Sequence, residues 1–438
     1  MTCPFRLSRP RIFGNEEKTA NLNLDEFLLT IGLRFCYSSQ PGMSGQPDDI
    51  TKYRPRTVSD ERQNQPMMKT KIALPQVISA LLGAMLIASA QADEGLSIPN
   101  ALPAPNEITT KGPDGEVATW YTELRLTPEE VQKVKEKNAR ICYETVTDSE
   151  WDQANLRGFK AAAETLNMKL VATANAQLNP TNQKNNMENF VALKPDVINT
   201  QPQALKIAAK TFDPLVAQGI KFVFLSNVPE GYTPGKQYVS ALTDSLYDMG
   251  KDAAIALAKA IGEKGEILSI EVAGVNYVTN TRDGAFRDTI KEKYPNIKID
   301  TVGGFQTPDQ AGQVTTGLLT RFPNVKGIYV SFSTPADSVL EGLRSLGRRD
   351  VKIVTDDLDS VCALDMARNG NVTAIVEDLA YQMGYGRALL SAYGVINKPA
   401  PKYVASPSFA VTRDNLVDGW KLSFGVVPPA DIMKALGK

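Results

Sequence analysis

The side chains with the most chemistry to offer sit late in the chain. Asp356-Asp357-Leu358-Asp359 follows a strand-like run at Lys352–Thr355, and Glu377-Asp378 follows another at Val372–Val376. Two carboxylates at about 5–9.5 Å are enough to hydrolyse a glycoside, so Asp357 and Asp378 form one candidate catalytic pair. The same groups, which only accept hydrogen bonds when ionised, can instead take the hydroxyls of a bound ligand. Asp357 has a third reading, as the N-cap of a helix starting near Ser360. The alternating ligands, Gly and distant Glu of an EF-hand are absent here, so no metal is assigned. The chain has no His, which excludes Ser-His-Asp and Cys-His catalysis and His-containing zinc sites. Cys3, Cys36, Cys142 and Cys362 are widely spaced, with no C-x-x-C pair. That is neither a disulfide framework nor a metal site, and Cys142 and Cys362 read as small buried apolar residues. Trp151 opens a helix just after a strand, where ligands bind in α/β folds, and reads as a pocket residue in preference to packing on its own lobe. No cofactor is expected.

These groups need a frame, and from Ala139 onwards the chain supplies one by alternating strands and helices. Strand-like runs fall at Ile141–Val146, Leu170–Thr173, Val197–Thr200, Phe222–Leu225, Glu266–Glu271, Ile297–Val302 and Gly327–Val330, besides the two above. Helical runs lie between nearly all of them, among them Gln153–Leu166, Ala204–Gln218 and the Ala-rich Met249–Ile261. Three helices stop at Pro195, Pro295 and Pro323, each shortly before a strand, as proline cannot continue a helix. Repeated βα units with short links imply parallel sheets covered on both faces. About four strands precede residue 238 and about five follow 265, which favours two doubly wound lobes, although eight or nine units also allow a TIM barrel. Gly231–Gly235 and a strand at Gln237–Leu242 are expected to make the first crossover between lobes. Ahead of this pattern, residues 93–137 read as an N-terminal segment that starts as an extended arm, with four Pro from Ile98 to Pro113. A short helix follows, capped by Thr127 with Pro128 in its first turn.

The 438 residues are 42% hydrophobic and 22% charged, with 48 basic against 49 acidic side chains and a net charge of −1. The apolar share suits a folded chain, and the charge balance argues against nucleic acid as a partner. Residues 68–92 read MKTKIALPQVISALLGAMLIASAQA. Lys69 and Lys71, the apolar run Val77–Ile87 and Ala90-Gln91-Ala92 are the parts of a secretory signal peptide, and the run is too short to span a bilayer. Residues 1–67 then read as a mis-assigned or disordered extension, with translation starting at Met67 or Met68 and the exported product at Asp93. The first 92 residues hold 11 basic and 8 acidic side chains, which leaves the exported part 37 basic and 41 acidic, a net of −4.

The order of the units resembles the periplasmic sugar-binding proteins of the ribose-binding type, the type I solute-binding proteins of ABC importers, over roughly residues 138–405. The stretches that carry it are Trp151-Asp152-Gln153-Ala154-Asn155-Leu156-Arg157-Gly158-Phe159, Leu225-Ser226-Asn227, Asn280-Thr281-Arg282-Asp283-Gly284-Ala285-Phe286, Val354-Thr355-Asp356-Asp357 and Ile375-Val376-Glu377-Asp378-Leu379. The resemblance implies two doubly wound parallel-sheet lobes (periplasmic binding protein type I) with an N-terminal arm. Lobe 1 would hold 138–240 and 380–403, and lobe 2 would hold 241–379 and 404–438, with hinges near 240, 379 and 403. It implies a non-enzymatic monomer in the periplasm that binds a sugar or polyol between the lobes and hands it to an ABC permease in the inner membrane. The implied ligand residues are Trp151, Ser226, Asn227, Arg282, Phe332, Ser333, Asp357 and Asp378. Ser226-Asn227 and Ser333-Thr334 stand where ribose binders usually carry Asp-Arg and Asn-Asp, which argues against ribose itself. A single cation, Arg282, among Asp356, Asp357, Glu377 and Asp378 suits a neutral polyol, a sugar or an amine-bearing ligand, and not a sugar phosphate or sugar acid. The competing functions are a carboxylate-dependent glycosidase, a receptor accessory that presents a furanosyl signal molecule, and a transcription regulator. The leader and the lack of an N-terminal helix-turn-helix count against the last.

Overall fold

The computed structural model describes residues 95–103, 108–274 and 277–438. The leader at 68–92 and the extension at 1–67 lie outside the described residues. In chain order, the first elements are β1 (Leu96–Ser97), β2 (Thr119–Trp120), β3 (Arg125–Leu126) and α1 (Pro128–Lys137). Next come β4 (Arg140–Thr145), α2 (Glu150–Thr165), β5 (Lys169–Asn175), α3 (Pro180–Ala192), β6 (Val197–Thr200), α4 (Leu205–Val216), β7 (Lys221–Leu225) and β8 (Ser240–Asp244). The second half runs α5 (Leu246–Ala260), β9 (Gly265–Val272), α6 (Tyr277–Lys293), β10 (Ile297–Phe305), α7 (Gln310–Arg321), β11 (Val325–Val330), α8 (Ser333–Ser345) and β12 (Lys352–Asp356). The last elements are α9 (Ser360–Ala367), β13 (Val372–Glu377), α10 (Ala380–Val395), β14 (Tyr403–Ser406), β15 (Phe409–Val411), α11 (Leu416–Phe424) and α12 (Ala430–Ala435).

Apart from the two-stranded β1–β3 pair, the described strands form two open sheets, which removes the barrel. One has the order β2-β14-β8-β7-β6-β4-β5 and the other β10-β9-β11-β12-β13-β15. Within these two sheets all pairs are parallel except β13 with β15. In each sheet the first strand of its βα series, β4 or β9, lies between the second and third. This is the doubly wound 2-1-3-4-5 order, whose switch point opens a crevice at the carboxyl ends of the strands. Central strands such as β6, Val-Ile-Asn-Thr, are buried along their whole length, as a parallel sheet covered on both faces requires.

The three prolines do what the sequence expects. Pro195, Pro295 and Pro323 each fall between a helix end and the strand that follows, at β6, β10 and β11. The crossover expected at Gly231–Leu242 falls elsewhere. β8 pairs with β7, Leu225 opposite Leu242, and with β14, Ser406 opposite Asp244. Both β8 and β14 thus belong to the first sheet, and the chain leaves it at Ser245 and again after Ser406. The burial of Ala241 and Leu242 in that sheet's core holds the strand there.

The amino-terminal segment is tied into lobe 1. Tyr121, Leu124 and Leu126 are buried in its core, β2 extends its sheet and β1 pairs antiparallel with β3. Helix α1 opens with a capping box, Thr127 and Glu130 bonding each other's backbone N–H, with Pro128 behind the cap, so that orphan donors of the first turn are satisfied. Among the described residues no helix is long and apolar enough to cross a membrane.

Candidate ligand-binding site

Both sheets point their carboxyl ends at one cleft of about 540 Å³, within the size range of small-molecule sites. Trp151, Ser226, Arg282, Phe332, Ser333, Asp357 and Asp378 all line it. Asn227 does not; it is buried one residue deeper, and its Nδ2 donates to the Pro202 carbonyl at 3.1 Å, which fastens the loop after β7 to the loop after β6.

The wall from lobe 1 is built around Asp152. Its carboxylate accepts from the backbone N–H of Val146 at 3.1 Å and Thr147 at 2.9 Å, and from the Thr147 and Ser149 hydroxyls. This folds the loop after β4 onto the start of α2, where Ser149 caps the helix. Trp151 then stands in the first turn, and its indole Nε1 donates to Asp378 Oδ1 at 2.6 Å. Gly158, further along α2, lets the helix touch α10: a Cβ there would lie 1.8 Å from the Tyr381 carbonyl oxygen.

The wall from lobe 2 turns on Arg282, which α6 carries and burial leaves only 5% exposed. Its Nη1 donates to Asp357 at 3.1 Å, its Nε to Asp244 at 3.1 Å, and its Nη2 lies 3.0 Å from Asp244 and 3.8 Å from Asp378. A charged side chain within a helix is ordinarily solvated; Arg282 is instead buried between three carboxylates. Gly250 makes that placement possible, since a Cβ on it would meet the Arg282 carbonyl oxygen at 1.9 Å and push α5 off α6. Burial opposes the charge of Arg282, yet the carboxylates of Asp244, Asp357, Asp356 and Asp378 together hold its pKa well above the ordinary arginine value. Burial drives Asp356 and Asp378 the other way, well above the carboxylate range, and pushes Glu377 up to about 8.

The cap question at the start of α9 has a clear answer. Asp359 accepts from the Cys362 N–H at 2.7 Å and is the N-cap. Asp357 is left with its carboxylate on Arg282. It sits in the left-handed region with φ +63°, and Ser226, after the corresponding strand of lobe 1, does the same at φ +53°. A left-handed non-glycine costs about 1–2 kcal/mol, and such outliers gather at ligand sites.

Sequence reasoning missed several lining residues. Asp244 holds Arg282 from the last position of β8; the signal was a strand ending in Asp, like β12, but the strand was placed two residues early. Glu150 accepts from the N–H of Ser360 at 2.5 Å and from its hydroxyl at 2.6 Å, a direct tie from lobe 1 to lobe 2. Phe305 lies opposite Phe332, ring centroids 6.2 Å apart, and adds a second aromatic edge to that end of the cleft.

A family model described as periplasmic binding protein domain matches residues 142–393, more than half of the chain. The chain belongs to the periplasmic binding protein family. No curated protein matches it. Among solved structures it is similar to an ABC transporter solute-binding protein from Agrobacterium vitis bound with α-D-tagatopyranose, with 19% identity, TM-score 0.60 and 65% of this chain on 99% of that one. It is also similar to a carbohydrate transporter solute-binding protein from Agrobacterium radiobacter in complex with D-arabinose, with 24% identity, TM-score 0.57 and 64% of this chain on 96% of that one. A third is the Caulobacter myo-inositol-binding protein bound to myo-inositol, with 21% identity, TM-score 0.57 and 65% of this chain on 97% of that one. At these identities the likeness is one of fold, two doubly wound lobes facing a cleft, and it places this periplasmic binding protein in the type I architecture.

Proposed function

We propose that this protein is the solute-binding component of an ABC importer, taking a sugar or polyol between its lobes and delivering it to a permease in the inner membrane. The observation that supports this reading is the cleft itself. It lies at the carboxyl ends of two doubly wound sheets and sets Trp151 and Phe332 beside buried acceptors, the pairing that a sugar's C–H faces and hydroxyls call for. Export through residues 68–92 to the periplasm and action as a monomer belong to the same proposal. So do the residue roles: Trp151 and Phe332 cover apolar faces of the ligand, while Ser226, Ser333, Arg282, Asp357 and Asp378 take its hydroxyls. Turnover is not part of it. Asp357 and Asp378 are both taken up by one arginine guanidinium, which leaves neither free for the two carboxyl roles that glycoside hydrolysis needs.

The test is calorimetric titration of the full chain with D-tagatose, D-arabinose and myo-inositol, the ligands of the three neighbours, joined to small-angle scattering. Saturable binding with a smaller radius of gyration in the complex is expected, because hinge closure is how two-lobed binders respond. Binding without compaction would remove the closure, and hydrolysis of a matching glycoside would remove the transport reading. Intact mass of the periplasmic product is expected to start at Asp93; a product that keeps residues 1–66 would overturn the export site.

A further inference from the structure

One carboxylate of lobe 1 does work that lobe 2 cannot do for itself. Glu150 is the first residue of α2, after β4 in the first sheet, and Ser360 is the first residue of α9, after β12 in the second. Across the cleft, Glu150 Oε2 accepts the Ser360 N–H at 2.5 Å and Oε1 accepts its hydroxyl at 2.6 Å. The first N–H groups of a helix have no partner within it. Asp359 caps α9 through the Cys362 N–H, so the Ser360 N–H takes its acceptor from the other lobe. The partial positive charge at a helix amino end favours an acid there, and Glu150 serves the ends of α2 and α9 at once. Two acids of lobe 2 oppose this contact. Burial first, and neighbouring charges after it, that of Glu150 included, raise the pKa of both Asp337 and Asp359. Like charge therefore pushes the lobes apart where the Ser360 donors hold them. Glu150 and Ser360 are each only half-buried, so water can replace the contact when it breaks.

We propose that Glu150 is a positioning residue, a latch that holds lobe 1 to the amino end of α9 over a bound solute and sets how long that solute stays. This rests on the solute-binding reading above and goes beyond it, since Glu150 acts through Ser360. Two other contacts also join the lobes, Arg282 with Asp244 and Trp151 with Asp378. Asp244 and Asp378 each lie next to a point where the chain passes between lobes, where hinge motion displaces atoms least. Ser360 belongs to a helix set between two strands of lobe 2 and moves with that lobe. A solute enters before the latch forms and leaves only after it breaks, so the latch acts on release.

The variant that isolates it is Ser360→Pro. Proline is favoured at the first helical position, where its missing N–H costs the helix nothing. Asp359 before it is already extended, with φ −145° and ψ 169°, as a residue preceding proline must be. Both donors are lost and α9 is kept. The full chain is immobilised and its on- and off-rates for D-tagatose, D-arabinose and myo-inositol are read by surface plasmon resonance. For whichever binds the parent, Glu150→Ala and Ser360→Pro are each expected to raise the off-rate about tenfold, as for one charge-assisted hydrogen bond. The on-rate should stay within about twofold. The double variant should release no faster than either single one, because both remove the same contact. Glu150→Gln, which keeps an acceptor, should recover part of the loss. An unchanged off-rate in either single variant, losses that multiply in the double variant, or a loss carried by the on-rate would overturn the latch and leave the solute-binding reading standing. If none of the three binds, that failure belongs to the sugar reading, and the latch is judged on the unliganded chain. Non-additive losses of Glu150→Ala and Ser360→Pro in urea unfolding would keep it, and additive losses would overturn it.

Discussion

Two concavities of similar volume mark opposite ends of lobe 1, and they differ in what their polar groups are doing. The cleft at the carboxyl ends of the strands holds about 540 Å³ and the groove at the amino ends about 590 Å³. The groove is lined by Lys221, Lys236, Lys398 and Lys402. Lys221 Nζ donates to the Gly394 carbonyl and, at 2.5 Å, to Asn397 Oδ1, closing the carboxyl end of α10, where carbonyls have no partner within the helix. Lys398 Nζ donates to the Arg125 carbonyl at 2.9 Å and to Glu130 at 2.7 Å, stitching the amino-terminal segment to the lobe. Two of its four cations are therefore engaged in holding the fold together. The cleft holds eight carboxylates, with Arg282 the one basic lining side chain among the described residues, and three left-handed residues, Leu178, Ser226 and Asp357. Volume does not tell the two apart, and neither does an unpartnered buried atom, since Tyr238 Oη in the groove has no hydrogen-bond partner either; the sign of the lining charge does.

The sharpest way to break this contrast is to remove the central cation of each region. Arg282→Met strands Asp244, Asp357 and Asp378 without their partner and is expected to cost about 3–5 kcal/mol in urea unfolding, as for other broken buried ion networks. Lys221→Met forfeits hydrogen bonds at a more open site and should cost about 1 kcal/mol. Equal losses would abolish the distinction. Next comes Asp357→Asn. Losing the charge on one ligand contact is worth about 1–2 kcal/mol, so the affinity for whichever sugar binds the parent should fall about tenfold. Asn tolerates the left-handed backbone, whereas Ala would add a conformational cost of about 1–2 kcal/mol. Unchanged affinity would remove Asp357 from the site.

A smaller effect should appear with pH. Burial raises Asp337 and Asp283 to about 7 and Glu377 to about 8. Between pH 4 and 8 the native state therefore binds more protons than the unfolded chain, and stability must fall as pH rises through that window. The unliganded protein is expected to melt at a lower temperature at pH 8 than at pH 6, and a melting point that climbs would contradict the buried acids. Smallest of all, Lys236→Ala and Lys402→Ala should leave ligand affinity within about twofold, since these exposed charges lie at the other end of the sheet and are screened by salt.

Strand periodicity was legible because parallel strands buried on both faces leave runs such as Phe222–Leu225 and Lys352–Thr355, and because Pro195, Pro295 and Pro323 mark helix ends. Trp151 and Asp357 were legible from their place after strands. What was hidden depends on distance. Asp244 becomes a site residue only once β8 is seen to run to its end in the first sheet, and Asp337 only once α8 packs beside the start of α9. Asn227 follows Ser226 in the sequence but, past a left-handed residue, turns inward to Pro202. The division between Asp357, whose carboxylate sits on Arg282, and Asp359, the helix cap, needed the backbone path of two residues that composition does not distinguish.

The indole of Trp151 gives the protein an optical gauge of its own. The chain has three tryptophans; Trp120 and Trp420 are buried in the lobe cores, while Trp151 lines the cleft with its N–H on a carboxylate. A molecule that enters or leaves the cleft changes the polarity around one fluorophore and leaves the other two as a constant background. Emission from a dilute solution thus reports cleft occupancy without any attached dye, and Trp151→Phe supplies the dark control.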